Sequence, residues 1–262
     1  MDYQQIKFTV ENHVATLTLN RPEAYNAFSD VMRNEMRDAF SRVEADKDIR
    51  ALILTGEGKA FCSGGDVKLM VSRMESGMPF AERREIFRKD VKAVVEQIYN
   101  TRVPVIAAIN GGAYGAGASL SLLCDVRIAA DNAKFGFLFG KRGLIPDWGS
   151  NYTLPRVVGL SRAIELVASG RIFGAQEALS YGLVNQVVEA GKLMEAATGL
   201  AAQIAANSPN AVAESKLALR LGMSQTLSQA LEHEAMTQSL CQLSDDHREG
   251  VMSFVEKREP VF

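Results

Sequence analysis

Short runs of apolar, β-branched residues alternate along this chain with longer stretches whose apolar positions recur every three or four residues. His13–Leu19 alternates apolar and polar side chains, the period-two signature of a half-buried strand. Ser29 is a favourable N-cap for a helix whose apolar face would be Met32, Met36, Ala39, Phe40 and Val43. Ala51–Thr55 and Val103–Ile109 are apolar, β-branched runs that read as strands. Each precedes a glycine-rich turn and a helix-like segment, the first from about Asp66 and the second from about Ala118. Residues 72–79 (Ser72, Ser76, Gly77, Pro79) read as a loop and 80–100 as a charged helix, with further strands near 125–130 and 134–137. Beyond residue 148 the pattern predicts helices at 149–158, 161–169, 175–181, 192–206, 210–221, 226–240 and 245–257, with one short strand at 183–188. Pro209 after Ser208 marks a helix start. The recurring strand–turn–helix unit predicts a stacked α/β core, although no repeat is visible residue by residue.

Composition narrows the function classes. With 262 residues, 47% hydrophobic and 23% charged, the chain can bury the core of one large domain or of a domain with an appendage. A net charge of −2 gives no electrostatic case for nucleic acid or an anionic membrane surface. The longest apolar runs are far too short to span a bilayer. Met1-Asp2-Tyr3-Gln4-Gln5 has neither the basic region nor the apolar core of a signal peptide. Cys62, Cys124 and Cys241 are too few and too scattered for a disulfide framework or a zinc site, which fits a reduced, cytoplasmic setting. His13, His233 and His247 lack a metal-like partner four residues on, so no metal is expected.

The two glycine-rich turns are Phe61-Cys62-Ser63-Gly64-Gly65-Asp66 and Ile109-Asn110-Gly111-Gly112-Ala113-Tyr114-Gly115-Ala116-Gly117. A strand, a glycine turn and a helix in that order point backbone N–H groups at a helix N-terminus, where they can hold negative charge. Two such turns facing each other could bind one developing oxyanion with one N–H each. A third element, Gly143-Leu144-Ile145-Pro146-Asp147-Trp148-Gly149, displays an acid on a turn. Blander readings exist for both features. A glycine after a strand also serves as a tight connection, and Pro146-Asp147 could cap the helix that follows.

Gly58-Lys59-Ala60-Phe61-Cys62-Ser63-Gly64-Gly65-Asp66-Val67-Lys68 resembles the first signature of the crotonase (enoyl-CoA hydratase/isomerase) superfamily. Ile109-Asn110-Gly111 through Gly117, followed by Cys124-Asp125, resembles the second. Asn20-Arg21-Pro22-Glu23-Ala24-Tyr25-Asn26-Ala27 opens the resemblance and Glu249-Gly250…Phe254-Val255-Glu256-Lys257-Arg258 closes it, so it is nearly chain-long. It implies an α/β fold, a crotonase-like spiral of ββα units, with a helical C-terminal region that builds trimers, often paired into hexamers. The implied division is a core with the CoA and acyl site over 1–200 and an oligomerisation region over 201–262.

The resemblance also assigns roles. Gly65 N–H and Ala116 N–H match the two oxyanion-hole donors for a thioester carbonyl. Ala24 and the loop Ser63, Gly64, Asp66, Val67 and Lys68 match segments that line CoA, with the Ser63 carbonyl facing the adenine. Arg21, Lys68 and Lys257, the last from this subunit or a neighbouring one, are candidates for phosphate contacts. CoA would arrive as part of the substrate, so no separate cofactor is implied. Met70, the 72–90 segment, Tyr114, Phe137, Phe139 and Trp148 are the expected walls of the acyl pocket.

Departures from the family pattern bear on the reaction. Enoyl-CoA hydratases of the superfamily use two glutamates; Ser119 and Phe139 stand at those positions here. Adding water across a double bond calls for two positioned acid/base groups, so simple hydration is disfavoured. Asp147 remains, and an Asp directly after Gly-Leu-Ile-Pro resembles the acid/base of the ring 1,2-epoxyphenylacetyl-CoA isomerases and of some enoyl-CoA isomerases. The implied activity is an acyl-CoA isomerase of fatty or aromatic acid catabolism, moving a double bond or ring bond through an enolate. The alternatives are a hydratase-like enzyme, a thioester hydrolase, a dehalogenase-like enzyme with Asp147 as nucleophile, or a non-catalytic CoA-ester-binding subunit.

Overall fold

The computed structural model describes residues 2–262. The chain opens with a hairpin, β1 (Ile6–Glu11) and β2 (Val14–Leu19), paired antiparallel from Glu11↔Val14 to Ile6↔Leu19. Asn12 and His13 form its two-residue turn with φ of 49° and 67°, the doubly left-handed backbone that suits the twist of a hairpin. The sequence pattern gave a strand from His13 and missed β1. His13 belongs to the turn, and β1 is a mostly exposed edge strand whose signal was the alternation of Ile6, Phe8 and Val10. Helix α1 (Asp30–Ala45) follows, capped by Ser29 Oγ accepting from Met32 N–H. Met32, Met36, Ala39, Phe40 and Val43 are buried, as their spacing predicts.

Three successive units then repeat one pattern. β3 (Ala51–Gly56) leads to β4 (Ala60–Cys62) and α2 (Val67–Glu75). Helices α3 (Phe80–Ile86) and α4 (Lys92–Asn100), joined by a π-helical turn at Phe87–Val91, bring the chain to β5 (Val105–Ile109), β6 (Gly112–Tyr114) and α5 (Ala116–Leu123). β7 (Val126–Ala130) and β8 (Lys134–Gly136) lead through a 3₁₀ turn at Gly140–Arg142 to α6 (Ser150–Val158) and α7 (Leu160–Ser169). The stretch expected as a loop at 72–79 is shorter, because α2 runs on to Glu75. β9 (Phe173–Gly174), α8 (Ala175–Ser180), β10 (Gln186–Val188), α9 (Leu193–Ala205), α10 (Pro209–Gly222), α11 (Leu227–Gln242) and α12 (Asp245–Glu256) complete the order.

The first strand of each unit enters a six-stranded sheet, β1-β2-β3-β5-β7-β10, parallel from β2 onward. The second strand enters a four-stranded sheet, β4-β6-β8-β9, in which β4, β6 and β8 are parallel. This is the expected spiral of ββα units. One face of the larger sheet covers the main core with α1; the other carries Ala51, Ile53, Ile106, Ala108 and Ile128 against Leu193, Ala197, Ala201 and Ala205 of α9. Alanines on α9 let its backbone approach the strands closely. The expected division at residue 200 falls inside α9, whose packing on the sheet continues to Ala205.

The C-terminal helices are tied to the core by one acid. Asp125 accepts Val105 N–H at 2.7 Å and pairs with Lys216 Nζ and Arg220 Nη2 of α10, each at 2.7 Å. Arg220 also lies over the Tyr99 ring at 3.8 Å. Asp125 of the second signature is thereby a structural clasp. No helix among the described residues is long and apolar enough to cross a membrane.

Candidate active site

Because β4, β6 and β8 are parallel neighbours, their C-terminal ends lie side by side. The first exit is the turn Ser63–Asp66. Phe28 N–H donates to Gly64 O at 2.8 Å and Asp66 N–H to Phe28 O, so the short bridge between Phe28 and Gly65 uses the groups flanking Gly65 and leaves its own N–H unclaimed. The second exit is Tyr114-Gly115-Ala116. Gly115 sits at φ 52°, ψ −123°, a backbone open to glycine, and Ala116 starts α5 with an N–H that has no acceptor within the helix.

Close approach of the two turns is built in. A Cβ at Gly117 would lie 2.1 Å from Cys62 O, and one at Gly64 would lie 2.7 Å from Tyr114 O and 3.2 Å from Ala116 N. Gly64 also has φ 95°. The glycines are therefore where one backbone crosses another, and the result is Gly65 and Ala116 on the wall of one cavity of about 530 Å³. Among the described residues neither N–H donates to a protein acceptor. A pair of free N–H groups in a shared cavity can hold one oxyanion.

The third exit, after β8, carries Asp147. Trp148 and Gly149 both have positive φ, 50° and 75°, and make a sharp turn into α6. The Trp148 ring stacks on Phe28 with centroids 4.0 Å apart and planes within 9°. That stack fixes the turn and directs the neighbouring carboxyl at the cavity, where Asp147 is part of the lining. Its carboxylate does not cap α6. The residue at the cap position is Gly149, and Ser150 N–H and Ser150 Oγ–H both donate to the Asp147 backbone carbonyl. Asp147 Oδ1 is buried and has no hydrogen-bond partner among the described residues. Burial pushes the carboxyl up to about 6, only partly offset by its own backbone N–H.

Of the residues expected at the site, Arg21, Ala24, Ser63, Gly65, Asp66, Val67, Lys68, Ala116 and Asp147 all line this cavity. Gly64 lies beneath the lining. Lys257 is not among these residues: it ends α12 in a left-handed conformation, exposed on the C-terminal helices. Arg21 is held in place by Asp66 at 3.1 Å and by the Ala27 carbonyl at 2.6 Å. Burial would raise the Asp66 carboxyl, but Arg21 and the N–H groups of Lys68 and Leu69 hold it below the usual range. Asp66 thus caps α2 and anchors Arg21 at once. Buried Asn26 locks the same corner by accepting Arg21 N–H and donating to Glu57 O and Ala60 O.

Met70, Arg73, Ile86, Phe87, Tyr114, Phe139 and Trp148 are cavity walls, as expected. Phe137 is not; it is fully buried in the main core. Sequence reasoning missed Phe28, Arg33, Val91, Leu138, Arg142 and Leu144. For Arg33 a signal existed: it stands beside Met32 on the buried side of α1, an unusual place for a guanidinium.

The enoyl-CoA hydratase/isomerase family model matches residues 9–262. The chain belongs to that family. It is 39% identical over 253 residues to a 1,2-epoxyphenylacetyl-CoA isomerase of Escherichia coli, covering 97% of this chain and 96% of the relative. It is 37% identical over 262 residues to a probable enoyl-CoA hydratase of Mycobacterium bovis, covering 100% and 99%. The crystal structure of an enoyl-CoA hydratase from Bacillus anthracis superimposes with a TM-score of 0.92 at 37% identity, over 99% of both chains. As a member of the enoyl-CoA hydratase/isomerase family the protein is a CoA-thioester enzyme, and its relatives carry both names. Within it, Ser119 is fully buried, donates to Gly115 O at 3.2 Å and lies off the cavity lining. Phe139 presents a phenyl ring to the cavity.

Proposed function

We propose that this enzyme is an acyl-CoA isomerase in which Asp147 is the single acid/base. The observation that carries the reading is a carboxyl with one buried oxygen that, among the described residues, has no partner, sharing one cavity with two unclaimed N–H groups. The thioester carbonyl oxygen would sit between Gly65 N–H and Ala116 N–H. Asp147, as carboxylate, takes a proton from a carbon conjugated with that carbonyl, and the electron pair moves onto the oxygen as an enolate or dienolate. Asp147, now protonated, returns the proton to a different carbon, and the double bond or ring bond has shifted with no net gain of atoms. Neither Ser119 nor Phe139 titrates near neutrality, so neither supplies a second acid/base group of the kind hydration uses. CoA enters as part of the substrate, against Ala24 and the Ser63–Lys68 loop, and no other cofactor takes part. Lys257 would reach a CoA phosphate from a neighbouring subunit of a trimer or hexamer, for which the exposed Leu219, Leu227, Leu240 and Phe254 of the C-terminal helices provide apolar surface.

Turnover of a panel of enoyl-CoA and arylacetyl-derived thioesters in D₂O tests the reading. The expected outcome is an isomerised product with deuterium on carbon. Asp147→Asn should lower turnover by roughly 10²–10⁴, the usual contribution of a positioned base, with ligand affinity retained. A 3-hydroxyacyl product would establish hydration instead, and solvent ¹⁸O appearing in the Asp147 carboxylate after one turnover would establish a covalent nucleophile.

A further inference from the structure

Besides Asp147, the cavity wall holds a second buried polar group with an unmet bond. Arg33 lies on α1 with its side chain 8% exposed, lines the cavity, and its Nε–H meets no acceptor among the described residues. A guanidinium keeps its proton at any ordinary pH, so this charge cannot be relieved by titration. An unmet donor on a buried charged group is more costly than one on a neutral group. The ion pair Arg33 does make is with Asp30, one turn back on α1. Asp30 Oδ1 also receives Arg73 Nη2 at 3.0 Å, so one half-exposed carboxylate serves two guanidiniums. Asp90, on the π-helical turn before α4, attracts Arg33 through space without forming an ion pair.

Arg33 is distinct from the groups expected at the nucleotide. Its charged neighbours are Arg73, near the far end of α2 beyond Lys68, and Asp90 on the helix that frames the cavity. The cavity that it lines also holds Met70, Ile86, Phe87 and Val91, which suit a hydrocarbon. A plain alkyl chain laid along that wall would leave the Nε–H unmet. An acyl group carrying its own anionic oxygen would meet it with a charge-assisted hydrogen bond.

We infer that Arg33 is a specificity-determining residue that receives a carboxylate borne by the acyl group at a distance from the thioester. The substrates favoured are mono-CoA thioesters of dicarboxylic acids. The inference rests on the reading of this cavity as the acyl-CoA site, but not on which reaction occurs there.

Calorimetry with saturated thioesters, which can neither isomerise nor add water, tests the inference apart from the chemistry. A series of straight-chain acyl-CoA ligands from butanoyl to octanoyl is compared with ω-carboxylated ligands of equal carbon count. At the length that reaches Arg33, the carboxylated ligand should bind roughly tenfold more tightly than its methyl-terminated counterpart. Arg33→Met should reduce that preference to within about twofold by weakening the carboxylated ligand only, with free CoA and alkyl ligands unchanged. Equal affinity for both series at every length overturns the inference. So does an R33M protein that loses free CoA affinity to the same degree, which would assign Arg33 to the nucleotide. If R33M does not fold, the wild-type series decides alone. A wild-type protein that binds alkyl thioesters tightly and rejects every carboxylated one also overturns it, while loss of all CoA binding would overturn the cavity assignment itself.

Discussion

Asp147 Oδ1 is enclosed with no hydrogen-bond partner among the described residues, and the carboxyl is pushed up to about 6 by burial. A base must be ionised to act, so kcat/KM should rise with pH through about 6 and level off above it, and a flat profile from pH 4.5 to 8 would contradict the assignment. The same displacement bears on stability. The unfolded chain loses this proton near 3.8 and the folded chain near 6, so the folded state binds more protons between them, and stability falls as pH rises through that window. Asp147→Asn removes the penalty. It should stabilise the protein by about 1–3 kcal/mol at pH 8 and leave it unchanged at pH 3.5, measured by urea unfolding at both values. The position of this acid was legible in the sequence because a proline and two turn residues surround it. Its failure to cap α6 was not, since that depends on Trp148 and Gly149 both taking left-handed backbone.

At the scale of elements, the site exists because three parallel short strands release their chains at one edge. Gly117 is where the second turn passes the first, and a methyl group there would collide with the Cys62 backbone carbonyl. Gly117→Ala should cost about 1–3 kcal/mol and lower the melting temperature by several degrees. Because the two N–H groups would separate, turnover should fall further than thermal stability alone explains at 25 °C. Gly65→Ala, which meets only the flexible Met70 terminus, should be milder in stability. The glycine turns and the long strands could be read from composition, as unbroken apolar runs followed by Gly pairs. β8 was legible near 134–137, but β4 and β6 were not, because three-residue strands carry no periodicity, and these short strands are the elements that bring the turns together. Arg33 did leave a signal, since it precedes Met36 and Phe40 by three and seven residues on the apolar stripe of α1.

At the scale of the whole molecule, α10, α11 and α12 contribute little to the core. Leu219, Met236, Leu243 and Phe254 remain 69–86% exposed across them. Light scattering should therefore give a mass that is a multiple of the 28.5 kDa chain, and Leu219→Asp with Phe254→Asp should shift it toward a single copy. Asp125→Ala should loosen these helices from the sheet by removing the carboxylate that both Lys216 and Arg220 pair with, at a cost of about 3 kcal/mol in unfolding. The chain also contains a single tryptophan, and it is Trp148, stacked on Phe28 beside the proposed base. Every photon of indole emission from this protein therefore originates at the cavity wall. Ultraviolet-excited fluorescence becomes a site-specific optical readout, in which a ligand sliding against the ring or a proton arriving at Asp147 changes the signal without any label.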